Sequence, residues 1–174
     1  EWLESHSNVK IIGSPTTGVE HVDLEEVARR GVKFVSLQGE RKFLNKITST
    51  AEHTIGLIIS LMRNYKKALT NPFGDRDDYT GEKLSGKTLG IIGSDGRIGR
   101  QMKKLGKAFG MKVLGYDTRW GWKGYGNLRK LLKESDIVTI HIPLQGNSEF
   151  FTREMFSLLK RTAYVVNTSR PGIF

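Results

Sequence analysis

The chain has 174 residues, 37% of them hydrophobic and 26% charged, with a formal net charge of +10 and no cysteine. Such a length suits one globular domain, or one domain with part of another. The missing cysteines exclude disulfides and thiolate metal sites and leave the compartment open, and no metal site is expected from the motifs. No apolar run approaches the roughly 18 residues of a membrane span, and "EWLESHSNVK" has neither the basic start nor the apolar core of a signal peptide, so a soluble cytoplasmic protein with no membrane partner is expected.

In chain order, "NVKIIGS" reads as a buried strand. "DLEEVARRG" follows as a helix, with Asp23 and Glu26 in capping-box positions and Gly31 as its stop. "VKFVSL" is a second strand, so the first 40 residues form an α/β unit. "STAEHTIGLIISLMRNYKKALTNP" predicts one long helix from Ser49 to Leu69, with Ser49 and Glu52 as a capping box and Pro72 beyond its end. Its apolar stripe (Ile55, Ile58, Ile59, Met62, Leu69) is wide enough to be buried against more than one layer. "NPFGDRDDYTGEKLSGK" is a polar connector.

Beyond it the pattern alternates. "TLGIIG", "KVLGYD", "DIVTIHIP" and "AYVVNTS" read as strands. Between them lie helices from Arg97 to Phe109 (Ile98, Met102, Leu105 and Phe109 on one face), over "NLRKLLKES" opened by Asn127, and over "TREMFSLLKR". Alternation of this kind predicts parallel strands with right-handed crossovers. We expect the spatial order third, second, first, fourth. "WGWKGYG" reads as a loop with partly buried rings. From Arg97 to Lys133 there are eleven Lys or Arg and one acid, Asp117. A solvated basic face is favoured over a nucleic-acid surface, because few aromatics are interleaved for base stacking.

The stretch "GIIGSDGRIGRQMKKLGKAFGMKVLGYD" carries the chemistry. In a dinucleotide-binding turn the first glycine allows the tight bend, the second admits the pyrophosphate and the third lets the helix pack on the strand. The helix N-terminus offers its amides to the phosphates, and an acid ending the next strand bonds the ribose hydroxyls. Gly93, Gly96, Gly99 and Asp117 stand in those places, with Asp117 24 residues after Gly93 against an expected spacing of about 20. A hairpin at Asp95-Gly96 is the rival, and the helical period that follows opposes it.

"IIGSPTTGVEHVDLE", "STAEHTIGLIISLMRNY", "LSGKTLGIIG…GRIGR", "AFGMKVLGYD", "LLKESDIVTIHIPL" and "VNTSR" together resemble the D-isomer-specific 2-hydroxyacid dehydrogenases, the phosphoglycerate dehydrogenase-like family. The resemblance covers nearly the whole chain. It implies a Rossmann-type parallel sheet, the NAD-binding domain, over residues 49–174, and part of a flavodoxin-like substrate domain over 1–48. It implies NAD as cofactor, a small 2-hydroxy or 2-oxo acid as substrate, hydride transfer as the reaction and a homodimer formed around the helix from Ser49. Gly18 and Val19 match the loop whose amides hold the substrate carboxylate, and Thr50 a position at the cofactor phosphates. Gly93, Gly96, Arg97 and Ile98 match the pyrophosphate turn, and Asp117 the ribose acid, which favours NAD over NADP unless Arg119 softens it. His141 to Pro143 match the loop beside the adenosine, and Asn167, Thr168 and Ser169 the nicotinamide side. Arg170 matches the arginine that grips the substrate. His141 is also readable as a strand-end histidine without proton chemistry, the reading preferred here, and His53 as structural.

The family's catalytic histidine and its glutamate lie downstream of the arginine motif, so the chain is expected to be a fragment without turnover of its own. Two departures from the family pattern fall on functional turns. "GSDGRIG" has one residue more than G-x-G-x-x-G: either it loops out harmlessly, or Asp95 sets a negative charge against the pyrophosphate. Pro171 follows Arg170 where the family has glycine, restricting the arginine's backbone. A non-catalytic NAD-binding or interaction module therefore stays open as an alternative, with a nucleic-acid binder a second.

Overall fold

The computed structural model describes residues 2–119, 121 and 125–174. Residues 120 and 122–124, most of the aromatic and glycine-rich loop anticipated above, lie outside them. The chain divides into two compact units, 1–47 and 48–174.

The first unit contains α1 (Trp2–Ser5), β1 (Ile11–Ser14), α2 (Leu24–Arg29), β2 (Lys33–Ser36) and α3 (Arg41–Leu44). β1 and β2 pair in parallel, with Ile11 opposite Lys33. Asp23 caps α2 by accepting from the Glu26 amide at 2.9 Å. The reciprocal half of the box is not made, because the Glu26 carboxylate turns to Arg29 and Arg30. Gly31 ends the element at φ +67°, a left-handed conformation natural to glycine.

The second unit runs α4 (Ser49–Met62), α5 (Tyr65–Thr70), a 3-10 turn (Arg76–Tyr79), β3 (Thr88–Ile92), α6 (Arg97–Ala108), β4 (Lys112–Tyr116), α7 (Tyr125–Glu134), β5 (Ile137–Ile140), α8 (Arg153–Ser157), β6 (Tyr164–Asn167) and a closing 3-10 turn (Pro171–Ile173). Its four strands are all parallel, in the order β4-β3-β5-β6.

That order corrects the expected one: β5 lies beside β3, not outside β4. The reason is burial. β3 and β5 are buried at every position and need a neighbour on each side, whereas β4, with Lys112 exposed, and β6, with Tyr164 exposed, tolerate an edge. Asp136 pins the junction, its amide donating to Thr88 O at 2.9 Å and its carboxylate accepting from Thr88 N at 2.8 Å. The order therefore reverses at β3, which makes the C-terminal ends of β3 and β5 the topological switch point of the sheet.

The long helix is also corrected. It ends at Met62, and Asn64 sits at φ +52°, a left-handed conformation that asparagine tolerates better than most residues. The connector causes the break. Glu82 N donates to Met62 O at 2.7 Å, and the Asn64 side-chain amide donates to Thr80 O at 2.6 Å. A Cβ on Gly81 would meet the backbone of Arg63 at 2.6 Å, so only glycine allows this approach. The Ser49–Glu52 capping box is absent: Thr48 is the N-cap, and its hydroxyl bonds the Glu52 carboxylate.

Two apolar layers cover the sheet. On one face Ala51, Ile55, Ile58 and Met62 of α4 and Met102 of α6 pack on Leu89, Ile91 and Ile137. On the other, Leu128, Leu131 and Leu132 of α7 join Phe151 and Ile173 against Ile92, Val138 and Ile140. α6 buries Gly99, Met102 and Gly106, so its inward stripe is narrower than the apolar pattern suggested, and Phe109 remains 40% exposed. α7 begins at Tyr125, two residues before Asn127, and α8 is one short turn capped by Thr152.

Candidate functional site

Because all four strands are parallel, Gly93, Asp117, His141 and Asn167 stand at the same edge of the sheet, each at or just past a strand's C-terminal end. Gly93 bends the chain at φ +84°, and its amide and that of Ser94 both donate to Tyr116 O, at 2.8 and 2.9 Å. A Cβ on Gly93 would strike the carbonyl of His141, and one on Gly99 would strike that of Gly93. Both glycines are thus required by backbone packing. Gly96 is the N-cap of α6, in extended backbone without a side-chain cap. Arg97 and Ile98 form the first turn behind it, half-buried. Twelve residues of helix align their dipoles behind this end.

The extra residue of the turn is absorbed on the β4 side. Ser94 is fully buried under Gly115, where a Cβ would meet its Oγ at 2.7 Å. Asp95 accepts from Lys103 Nζ at 2.9 Å, and that bond holds its carboxyl below the usual range despite partial burial. Arg100 donates to the Asp95 carbonyl at 2.9 Å. The Asp95 charge is therefore offset, and the turn remains suited to an anionic group.

Asp117 is 3% exposed. Its Oδ1 accepts from Arg119 N at 3.2 Å and Nε at 2.7 Å, and its Oδ2 from Arg119 Nη2 at 3.0 Å and Asp95 N at 3.1 Å. The guanidinium, chiefly, holds this carboxylate well below its ordinary pKa.

His141 follows β5. Burial pushes its imidazole down to about 4, so the ring is neutral at pH 7. Nδ1 lies 3.5 Å from Thr168 Oγ1, while Nε2 is buried without a partner among the described residues. Thr168 meets Thr54 Oγ1 at 2.9 Å, and Thr54 in turn donates to Thr50 O at 2.7 Å. This chain of hydroxyls ties the start of α4 to the end of β6. Pro143 is exposed just beyond His141.

After β6, one side chain shapes the loop. Asn167 Oδ1 accepts from Ser169 N at 2.9 Å and Ser169 Oγ at 2.6 Å, and its Nδ2 donates to Arg170 O at 2.9 Å. Pro171 enters a 3-10 turn at its first position, a place that suits proline. The turn is fastened where Glu149 N and Phe151 N donate to Gly172 O and Ile173 O, at 2.9 and 2.8 Å. Asn167, Thr168, Ser169 and exposed Arg170 line a cleft of about 510 Å³ together with His53 and Leu57 of α4. Gly18 and Val19 belong to the first unit, on the loop after β1, where Thr16 Oγ1 donates to Gly18 O at 2.7 Å.

The family model described as D-isomer specific 2-hydroxyacid dehydrogenase, NAD binding domain, matches residues 55–174. The chain belongs to the D-isomer-specific 2-hydroxyacid dehydrogenases. Among relatives, D-3-phosphoglycerate dehydrogenase of Methanocaldococcus jannaschii is 34% identical over 98% of this chain and 34% of its own length. Hydroxypyruvate reductase of Thermotoga maritima is 32% identical over 98% of this chain and 56% of its own. Aquifex aeolicus D-lactate dehydrogenase, solved with NAD and lactic acid, superposes with a TM-score of 0.75 at 30% identity, over 98% of this chain and 53% of that one. The chain thus spans about a third to a half of the relatives it matches. The resemblance read from the motifs, the Rossmann-type α/β fold and NAD as the family's cofactor all hold.

Within this dehydrogenase domain, spacing alone did not single out Lys103, Ser94 or Thr54. Each acts through a partner eight or more residues away, or through burial, and neither is visible in a motif.

Proposed function

We propose that the chain is the dinucleotide-binding part, with a piece of the substrate domain, of an NAD-dependent dehydrogenase acting on 2-hydroxy or 2-oxo acids. The reading rests on the shared edge: the glycine turn, Asp117 and the Arg170 loop lie at one end of one parallel sheet, beside its switch point. NAD, when bound, accepts or donates the hydride. The first turn of α6, with Gly96, Arg97 and Ile98, receives the pyrophosphate, and Thr50 assists from α4. Asp117 and the His141–Pro143 loop serve the adenosine half, and Asn167 to Ser169 the nicotinamide half. Arg170 orients the substrate on the second unit, and in the first unit Gly18 and Val19, with their amides, match the family's carboxylate-binding loop. His141, neutral and with Nε2 buried, serves as a packing residue and takes no part in proton transfer.

Two finer readings join this one: the protein works in the cytoplasm and as a homodimer. Separately, no described helix is long and apolar enough to cross a membrane. The dimer forms around α4 and α5, where Leu61, Tyr65 and Leu69, with Phe73 just beyond α5, leave large apolar side chains exposed. The test is calorimetric titration with NADH of the chain and of Gly96→Val. The backbone angles of Gly96 admit a side chain, but its Cβ would lie 3.1 Å from the Gly93 carbonyl, so thermal melts check that the variant keeps its fold. Binding that weakens at least about tenfold in the variant, the loss of one or two charge-assisted bonds, supports the reading. Absence of NADH binding by the parent chain overturns it.

A further inference from the structure

We propose that Arg119 sets the choice between NAD and its 2′-phosphorylated form, and that this site accepts the 2′-phosphate. The inference rests on the assignment of Asp117 to the ribose and deepens it.

An ionised carboxylate has roughly four acceptor positions. Asp117 already receives four donors, three from Arg119 and one from the Asp95 amide. Two are backbone amides, fixed by the strand end and the glycine turn. To bond a ribose diol, Asp117 must release the guanidinium. A 2′-phosphate needs no such release, because it approaches the guanidinium itself.

Position and charge agree. Asp117 is 3% exposed, whereas the Arg119 side chain is 67% exposed. Solvent, and any ligand at this strand end, therefore meets the cation before the acid. Around the acid stand Asp95, paired with Lys103, and Arg100 on the Asp95 carbonyl. Counting Asp117 and Asp95 against Arg119, Lys103 and Arg100, the cluster carries one net positive charge. An unpartnered acid at this position would bond the diol and repel a phosphate; here that repulsion is cancelled at its source. The extra residue of the turn contributes directly, because it is the Asp95 amide that occupies the fourth acceptor position.

The experiment is titration of the 174-residue chain with NADH and NADPH, and with 5′-AMP and 2′-AMP as probes of the adenylate end alone. Arg119→Ala and Arg119→Lys are compared, with thermal melts as the check on folding. We expect NADPH to bind within about tenfold of NADH. In Arg119→Ala, NADPH and 2′-AMP should weaken by about tenfold or more, the loss of a charge-assisted contact, while NADH holds or tightens as Asp117 is released. Arg119→Lys keeps the charge without the fork and should fall between. NADH binding with NADPH weaker by more than about a hundredfold overturns this inference and leaves the proposed function standing, as does an unchanged NADPH-to-NADH ratio in Arg119→Ala. Failure of NADH itself to bind overturns both. Should the alanine variant not fold, the parent ratio alone decides.

Discussion

His141 shows how one residue couples burial to pH. Its ring titrates near 6.5 when exposed and near 4 in the fold, because burial opposes the charged form. Above pH 6.5 neither state is protonated there and stability is unaffected. Between about 6.5 and 4 the unfolded chain takes up a proton that the folded chain refuses, so stability falls as pH falls. The slope is about 1.4 kcal/mol per pH unit, reaching about 3 kcal/mol at pH 4. Asp95, Asp117 and Asp136 have carboxyls held down by partners, and their own losses begin only as pH falls below about 5. Urea unfolding from pH 7.5 to 5 should show the slope in the parent, and a flatter profile in His141→Gln. Gly99 is a second residue-level test. A methyl there meets the Gly93 carbonyl, so Gly99→Ala should cost roughly 1–3 kcal/mol and abolish dinucleotide binding, read by unfolding and titration together. A variant as stable as the parent would mean that the turn relaxes.

At the scale of elements, helix and strand identities were legible and their ends and neighbours were not. The strands announced themselves as apolar runs, but their order depended on which runs tolerate an edge, and that shows only in the burial of Lys112 and Tyr164 against that of β3 and β5. The sequence reads as one helix from Ser49 to Leu69, yet the helix breaks at Asn64. The partners that break it, Thr80 and Glu82, are 16 and 18 residues away. Asn64→Val should therefore destabilise by about 1–2 kcal/mol from the left-handed backbone alone, with the bond to Thr80 lost in addition. Asn64→Gly loses the bond but not the conformation and should cost less. Equal losses in both variants, measured by thermal unfolding, would place the cost in the hydrogen bond. The basic run from Arg97 to Lys133 also changes character in three dimensions. Lys103, Lys112, Arg119 and Arg129 pair with Asp95, Glu134, Asp117 and Glu154, acids from other elements or turns. The solvated-face reading gains from this interleaving of charge.

For the whole molecule, self-association and turnover are the two measurable consequences. Leu69 is 81% and Phe73 97% exposed, and Leu61 and Tyr65 are exposed as well, large apolar side chains of the kind that interfaces cover. Sedimentation should show association that weakens in a Leu69→Ser, Phe73→Ser double variant. A clean monomer at high concentration would remove the dimer from the proposal. Hydride transfer requires a proton donor or acceptor beside the reacting carbonyl, a contribution of about 10²–10⁴-fold. Among the described residues, the histidine that lines the cleft with Arg170 is His53, on α4. We expect the 174-residue chain to bind NADH without measurable turnover of 2-oxo acids, followed by absorbance. Turnover that disappears in Arg170→Ala would make His53 the first residue to test as the base.

The sequence by itself determined the family, the alternation of strands and helices, and the placing of Gly93, Gly96, Gly99, Asp117 and Arg170 at element ends, because these depend on local period and fixed short spacings. Tertiary structure alone decided the strand order, the break at Asn64, the neutralisation of Asp95 by Lys103 and the saturation of Asp117 by Arg119 and the Asp95 amide. Those outcomes depend on which groups are left without water and which partners burial brings within 3 Å, and a linear pattern does not encode the competition between them. Even Arg119, two residues from the acid, was legible only as a nearby cation; the fold turned it into the acid's principal donor.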